Sequence, residues 1–211
     1  MLNKQQTQII LGSLLGDASI SRMRKSYIFS ITHGHKQYKY VKFISEKLGV
    51  KLYKCSASKS FSRHKYKWKI SYCNKQVLHN IFNIVKNKEI KTINNRWLNL
   101  ITPEGIAYWF MDDGSSTYAR DTSILVRFST YSYSLQEIEK LQGLLYKYGV
   151  LTSMSHTDRG KGVVLSIRQI SVNKFMDLIS PYVHSSMKYK LKYRNKPVTR
   201  KLRTDLWTSI K

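Results

Sequence analysis

The chain has 211 residues, with 37 Lys and Arg against 12 Asp and Glu, for a formal charge of +25. That length can bury a core without disulfides; a 42% apolar share with 15 tyrosines excludes a disordered chain, and three prolines and two cysteines exclude collagen-like and disulfide-stapled classes. A charge this high self-repels unless a polyanion is the working partner, and the basic residues are spread along the chain rather than gathered on one amphipathic helix, so nucleic acid is favoured over a membrane surface.

The opening residues, MLNKQQTQ, do not read as a secretory leader, and no apolar run has the length of a membrane span. Cys55 and Cys73 lack metal-ligand spacing, so a reduced, intracellular setting is expected. Abundant Lys, Asn, Ile and Tyr suit an AT-rich genome. That means a mitochondrion or chloroplast for an organelle-encoded chain, and otherwise a bacterial or phage-host cytoplasm.

Ile10 to Asp17 reads as an apolar helix that ends in an aspartate. Gly12 and Gly16 are four apart, hence on one face, where a second helix backbone could approach closely. A strand near 19–24 carries Arg22 and Arg24. The next strand, in YIFSITHGH, leads to a helix with Tyr40, Phe43, Ile44 and Leu48 at helical spacing, closed by Gly49 in the left-handed position. From residue 65 a strand of period two puts Lys65, Lys67 and Lys69 on one face and Tyr66, Trp68 and Ile70 on the other. Three lysines in register exceed what protection of a sheet edge needs, so a basic outer stripe is expected. Asn74 suits a helix N-cap, with Leu78, Ile81 and Phe82 on the buried face.

Pro103 suits the first turn of a second apolar helix, Ile106 to Asp113. From there the pattern returns. A strand is expected near 115–120, then one in which Arg127 points outward between Val126 and Phe128. A helix follows, with Leu135, Ile138, Leu141, Leu144 and Leu145 closed by Gly149. The last strand has Val163, Leu165 and Ile167 inside and Ser166 and Arg168 outside. Its helix is N-capped by Ser171, with Phe175, Leu178 and Ile179 buried. Each repeat is therefore helix–strand–strand–helix–strand–strand–helix. The expected division is 1–95, 96–190 and a basic extension 191–211 with no counterpart.

An aspartate at a helix C-terminus meets partial negative charge, and two such ends together are worse. A hard divalent cation would offset them, magnesium above all, since it binds through one or two carboxylates plus substrate phosphate. Paired carboxylates, metal and basic faces point to phosphodiester hydrolysis by metal-activated water. The plainer alternative, that Asp113-Gly114 is only a turn, suits one motif better than two at equivalent positions. The six histidines show no zinc spacing. His33 and His35 flank Gly34 at a strand end, where at most an unspecific nucleic-acid contact is expected, and the tyrosines and tryptophans read mostly as core.

Ile10-Leu11-Gly12-Ser13-Leu14-Leu15-Gly16-Asp17-Ala18 and the stretch TPEGIAYWFMDDGS resemble the LAGLIDADG signature. The chain resembles a single-chain LAGLIDADG homing endonuclease over roughly residues 5–190, the second stretch being similar to the yeast mitochondrial intron-encoded branch. Leu15, Ser13 and Ala18 depart from the consensus. The resemblance implies an α+β fold of two αββαββα repeats about a pseudo-twofold axis, with the signature helices at the centre and two antiparallel sheets forming a saddle over DNA. It implies a monomer that makes a double-strand break in a long double-stranded DNA target, using magnesium or manganese held by Asp17 and Asp113. It also implies that Lys91 of KTI and Lys190 of YKL lie near the cleavage centre. Lys91 follows Asp17 by 74 residues and Lys190 follows Asp113 by 77. A lysine there could steady the transition state or merely position phosphate. Arg22, Arg24, Lys65, Lys67, Lys69, Arg127 and Arg168 are the expected DNA contacts. The rival readings are an RNA maturase assisting intron splicing, which needs the basic surface and not the carboxylates, and a non-catalytic DNA-binding regulator.

Overall fold

The computed structural model describes residues 1–56, 66–119, 123–156 and 162–194. Lys65 lies outside them, so its place in the basic stripe is not described. The first repeat runs α1 (Lys4–Leu15), β1 (Ser19–Met23), β2 (Ser26–Gly34), α2 (Tyr38–Leu48), β3 (Leu52–Ser56), β4 (Tyr66–Cys73) and α3 (Lys75–Val85). A short hairpin, β5 (Lys86–Asn87) and β6 (Ile90–Lys91), and one helical turn, α4 (Asn95–Leu98), lead to the second. That runs α5 (Pro103–Asp113), β7 (Gly114–Ala119), β8 (Ser123–Phe128), α6 (Leu135–Tyr146), β9 (Thr152–His156), β10 (Val163–Ile167) and α7 (Val172–Ile179), and 3-10 turns at Ser180–Tyr182 and Ser185–Lys190 follow. Each repeat builds one antiparallel four-stranded sheet, in the orders β1-β2-β4-β3 and β7-β8-β10-β9.

The local chemistry explains where the helices begin and end. Asn3 and Gln6 form a capping box on α1, and Ser134 and Glu137 form another on α6. Asn74 caps α3 by accepting from the Val77 N–H. Gly49 takes a φ of 66° and Gly149 one of 69°, a conformation in which a side chain would clash with its own backbone. Ser171 does not cap α7 through its side chain. Its hydroxyl accepts from Leu151 N–H at 3.0 Å and so ties the last helix to the turn before β9. Leu135 is exposed at the first turn of α6, ahead of the buried stripe from Ile138 to Leu145.

Both signature helices are buried nearly all round, from Gln8 to Leu15 and from Gly105 to Asp112, as expected of helices that are apolar on every face. They pack on each other through the glycines. A Cβ on Gly12 would land on the carbonyl of Gly105, and one on Gly16 would sit 2.6 Å from Asp112 Cβ. Gln8, buried between them, donates to Leu100 O at 2.9 Å and accepts from Thr102 N–H at 3.0 Å. It satisfies both ends of its amide while joining the start of one helix to the approach to the other.

Register settles the two faces of each sheet. In β2 the residues Phe29, Ile31 and His33 are buried against the helices, and Ser30 and Thr32 face out. Lys67 and Lys69 pair with Gly34 and Thr32 and share that outer face. Arg22 pairs with Tyr27 and has the parity of buried Ile20. It therefore stands on the helix side, exposed at the sheet's open end, and Arg24 sits in the β1–β2 turn with a φ of 41°. On the second sheet Arg127 is exposed between Ser115 and Ser166, and Arg168 is exposed just past β10. Ser166 corrects the expectation: it is 8% exposed, because β10 is an inner strand flanked on both sides. Among the described residues both outer faces are richer in hydroxyls than in lysine or arginine, with Ser19, Ser21 and Ser30 on one and Ser115, Thr117 and Ser153 on the other. The tyrosines also depart from expectation. Tyr40 and Tyr108 are core, but Tyr53, Tyr118, Tyr146 and Tyr189 are exposed.

Candidate active site

The two packed helices end side by side, and each end carries an acidic residue and meets a lysine. Asp17 lies two residues beyond α1 with its side chain 44% exposed, and Asp113 is the half-buried last residue of α5. Lys91, on β6, donates to Leu14 O at 3.0 Å. Lys190, at the end of the last 3-10 turn and itself buried, donates to Phe110 O at 3.4 Å, Met111 O at 2.5 Å and Asp112 O at 3.3 Å. These carbonyls belong to the last helical turns, where partial negative charge accumulates. The sequence poses the electrostatic problem of acidic groups at two adjoining helix C-termini, and the two lysines are part of its answer.

They are not the whole of it. Burial raises the Asp113 carboxyl to about 7, with Asp17 and Asp112 pushing the same way and Lys91 and Lys190 opposing. Burial also raises Asp17 above the usual carboxylate range, His33 works against it, and Asp112 reinforces it. Both lysines are lowered by burial, Lys91 being held up chiefly by Asp113 and Lys190 chiefly by Asp112. The carboxylates repel, and the fixed cations only partly neutralise them.

His33, Asp112, Tyr40 and Tyr133, to which the sequence assigns no catalytic part, complete the centre. His33 is 3% exposed. Its Nδ1 lies 3.3 Å from Asp17 Oδ2 and its Nε2 3.2 Å from Asp112 Oδ1. Neither nitrogen makes an aligned hydrogen bond with these carboxylates, so both contacts are close charge approaches. Burial disfavours the charged ring, but the two carboxylates outweigh it and raise the His33 pKa. Tyr40 donates its hydroxyl proton to the same Asp112 oxygen at 2.8 Å. From the other repeat, Tyr133 donates to Leu15 O at 2.7 Å, at the end of α1, and its ring lies 5.6 Å from the Lys91 ammonium. The position of His33 was legible in part, since it shares parity with Phe29 and Ile31 and so points toward the helices. Asp112 offered only an acidic residue beside a more familiar one.

No group of three His, Cys, Asp or Glu able to hold a metal occurs among the described residues. Two mutually repelling carboxylates suit a hard cation that keeps water and phosphate oxygens in its shell, as magnesium and manganese do, rather than zinc. Among the described residues no helix is long and apolar enough to cross a membrane.

Residues 7–175 match the LAGLIDADG DNA endonuclease family. The chain belongs to that family. A probable intron-encoded endonuclease from Wickerhamomyces canadensis is 24% identical to this LAGLIDADG chain, covering 90% of the chain and 85% of the relative. A protein named RecA from Mycolicibacterium chitae is 25% identical over 90% of the chain, and the chain spans about half of it, 47%. The solved structure of the homing endonuclease I-WcaI bound to its DNA recognition sequence superposes with a TM-score of 0.79 at 22% identity, covering 92% of this chain and 88% of that one. The LAGLIDADG α+β fold, with central helices beneath two antiparallel sheets, is thereby established.

Proposed function

We propose that this chain is a site-specific endonuclease that cuts both strands of a double-stranded DNA target with the help of divalent cations, magnesium or manganese. The observation that carries the reading is the meeting of Asp17 and Asp113 at the ends of two packed helices, with Lys91 and Lys190 held at the same ends. The likeness to a DNA-bound relative supports the choice of DNA, and one chain holding both carboxylates supports a monomer. The division into repeats 1–95 and 96–190 with an extension from 191 belongs to the same reading.

Asp17 and Asp113 would hold the cations, which when bound supply Lewis-acid charge at the scissile phosphates and ease the deprotonation of water. The chain's own part is placement. The repelling carboxylates keep a high affinity for positive charge, and the lysines add fixed positive potential without competing for the carboxylate oxygens. The outer faces lay hydroxyls and a few basic groups along the duplex, where serine and threonine can donate to or accept from phosphate and base edges alike. The decisive experiment clones the joined sequences that flank the gene into a plasmid. Linearisation that needs both insert and magnesium is expected. Intact plasmid, together with faster splicing of an intron RNA, would replace the nuclease by a maturase.

The sheet faces make a second prediction. Lys67 and Lys69 contact phosphate in this reading. Lys67→Ala with Lys69→Ala should flatten the log–log dependence of target affinity on salt by about 0.9 for each lost contact. Exposed or half-exposed lysines contribute little to folding, so melting should barely move. A parental salt slope in the double variant would place the duplex elsewhere.

A further inference from the structure

The two halves of the centre are not copies. By strand register, Ile31 pairs with Ile70 in one sheet and Val126 pairs with Ile167 in the other, each beside the matching pair Leu52 or Thr152. By this inner pairing His33 corresponds to Phe128; by the pairing of the first strands, where Ser19 meets Ser30 and Ser115 meets Arg127, it corresponds to buried Thr130, whose hydroxyl is spent within its own sheet, donating to Val163 O at 2.7 Å and accepting from Leu165 N–H at 3.1 Å. Phe128 stacks on Trp109 with ring centres 3.8 Å apart and meets Phe110 and Phe175, an apolar block with no polar group to offer. Likewise Gly16 corresponds to Asp112. The glycine leaves the space into which Asp112 packs, and Asp112 reaches across to His33 in the other repeat. Asp113 makes no hydrogen bond or ion pair through its carboxylate with the described residues.

We propose that His33, anchored by Asp112 and Tyr40, is a positioning residue for Asp17 alone, so that the two carboxylates are held by different means and the strand served by Asp17 depends on a residue that the other strand does not use. The inference rests on the nuclease reading above. His33 stands 3.3 Å from one oxygen of Asp17, Oδ2, and its charge draws that oxygen toward the ring, while the side chain stays open enough for the other oxygen to meet a ligand. Asp112 fixes the ring from behind, and the Tyr40 hydroxyl fixes Asp112. Outer partners of this kind change metal affinity or activity by about 10- to 100-fold when removed.

The test follows each strand of an end-labelled target duplex separately. His33→Ala should slow cleavage of one strand by about 10- to 100-fold and leave the other at the parental rate, so that nicked DNA accumulates while target affinity is unchanged. Tyr40→Phe, which keeps the ring, should give a weaker bias toward the same strand, and His33→Gln, which keeps a donor, should recover part of the rate. A readout independent of cutting is manganese binding to the protein–DNA complex, followed by the resonance signal of free manganese. His33→Ala should weaken binding by about tenfold in an Asp113→Asn background and not in an Asp17→Asn background. Equal slowing of both strands in folded His33→Gln and Tyr40→Phe proteins, or equal manganese losses in the two backgrounds, overturns the proposal and leaves the nuclease reading standing. A parent protein that cuts neither strand removes both.

Discussion

Asp113→Asn is expected to give a protein that melts above its parent at about pH 8, still binds target DNA, and no longer completes a double-strand break. The Asp113 carboxyl sits at about 7 against an ordinary 3.8, through burial first and then the charges of Asp17 and Asp112. The folded state therefore holds this proton more tightly than the unfolded chain does. Its contribution to stability is present at low pH and is lost progressively as pH rises from about 4 to about 7. Asparagine mimics the protonated form. The variant's advantage should be absent below about pH 4, grow through that window and stay constant above it, reaching a few kcal/mol at about 1.4 kcal/mol per pH unit, less what solvent screening recovers. Magnesium should narrow the gap by stabilising the parent more than the variant. Thermal unfolding across pH, with and without magnesium, measures both effects beside a cleavage assay. Parental cleavage by Asp113→Asn, or a melting point below the parent at pH 8, would sink the assignment of Asp113.

Gly12→Ala should be among the most destabilising single-methyl changes in the molecule. The added carbon meets the backbone carbonyl of Gly105, which has no rotamer with which to yield. Overpacking of this kind costs about 1–3 kcal/mol, against a gain of about 1 kcal/mol in helix propensity. Gly143→Ala supplies the control. It lies on the exposed side of α6 with nothing within 4 Å of the added carbon, so it should gain up to about 1 kcal/mol. Urea midpoints that move together in the two variants would show that the central helices do not depend on close backbone approach.

Much of this architecture was readable because it is periodic. Phe29 and Ile31 alternate, Leu78, Ile81 and Phe82 recur at helical spacing, and the aspartates stand at matching places in two repeats. Gly12 and Gly16 announced a close contact, but its other half, Gly105, could not be paired with them before the helices were in register. Ser166 was misplaced because alternation predicts the side of a sheet and not the crowding on that side. His33 reads in the sequence as no more than an unspecific nucleic-acid contact for a different reason. A histidine between a threonine and a glycine carries no mark of the two carboxylates that surround it, since Asp17 comes from the turn after α1 and Asp112 from 79 residues further along. Lys67 and Lys69 share the outer face that alternation gives them, but net charge reports a total and not an address, and the hydroxyls beside them carry no such signal.

The burial of Lys190 ties the end of α5 to a residue far along the chain. Asp17, Lys91 and Asp113 have all left the ribosome's decoding centre before Lys190 is added, 77 residues after the second aspartate. Chains fold from the N-terminus as they emerge. Lys91 meets the end of α1 from within the first repeat, whereas the end of α5 is met by Lys190 from the last 3-10 turn. A chain that stops upstream of the last 3-10 turn carries Asp17, Lys91 and Asp113 but lacks the lysine that meets the three carbonyls at the end of α5.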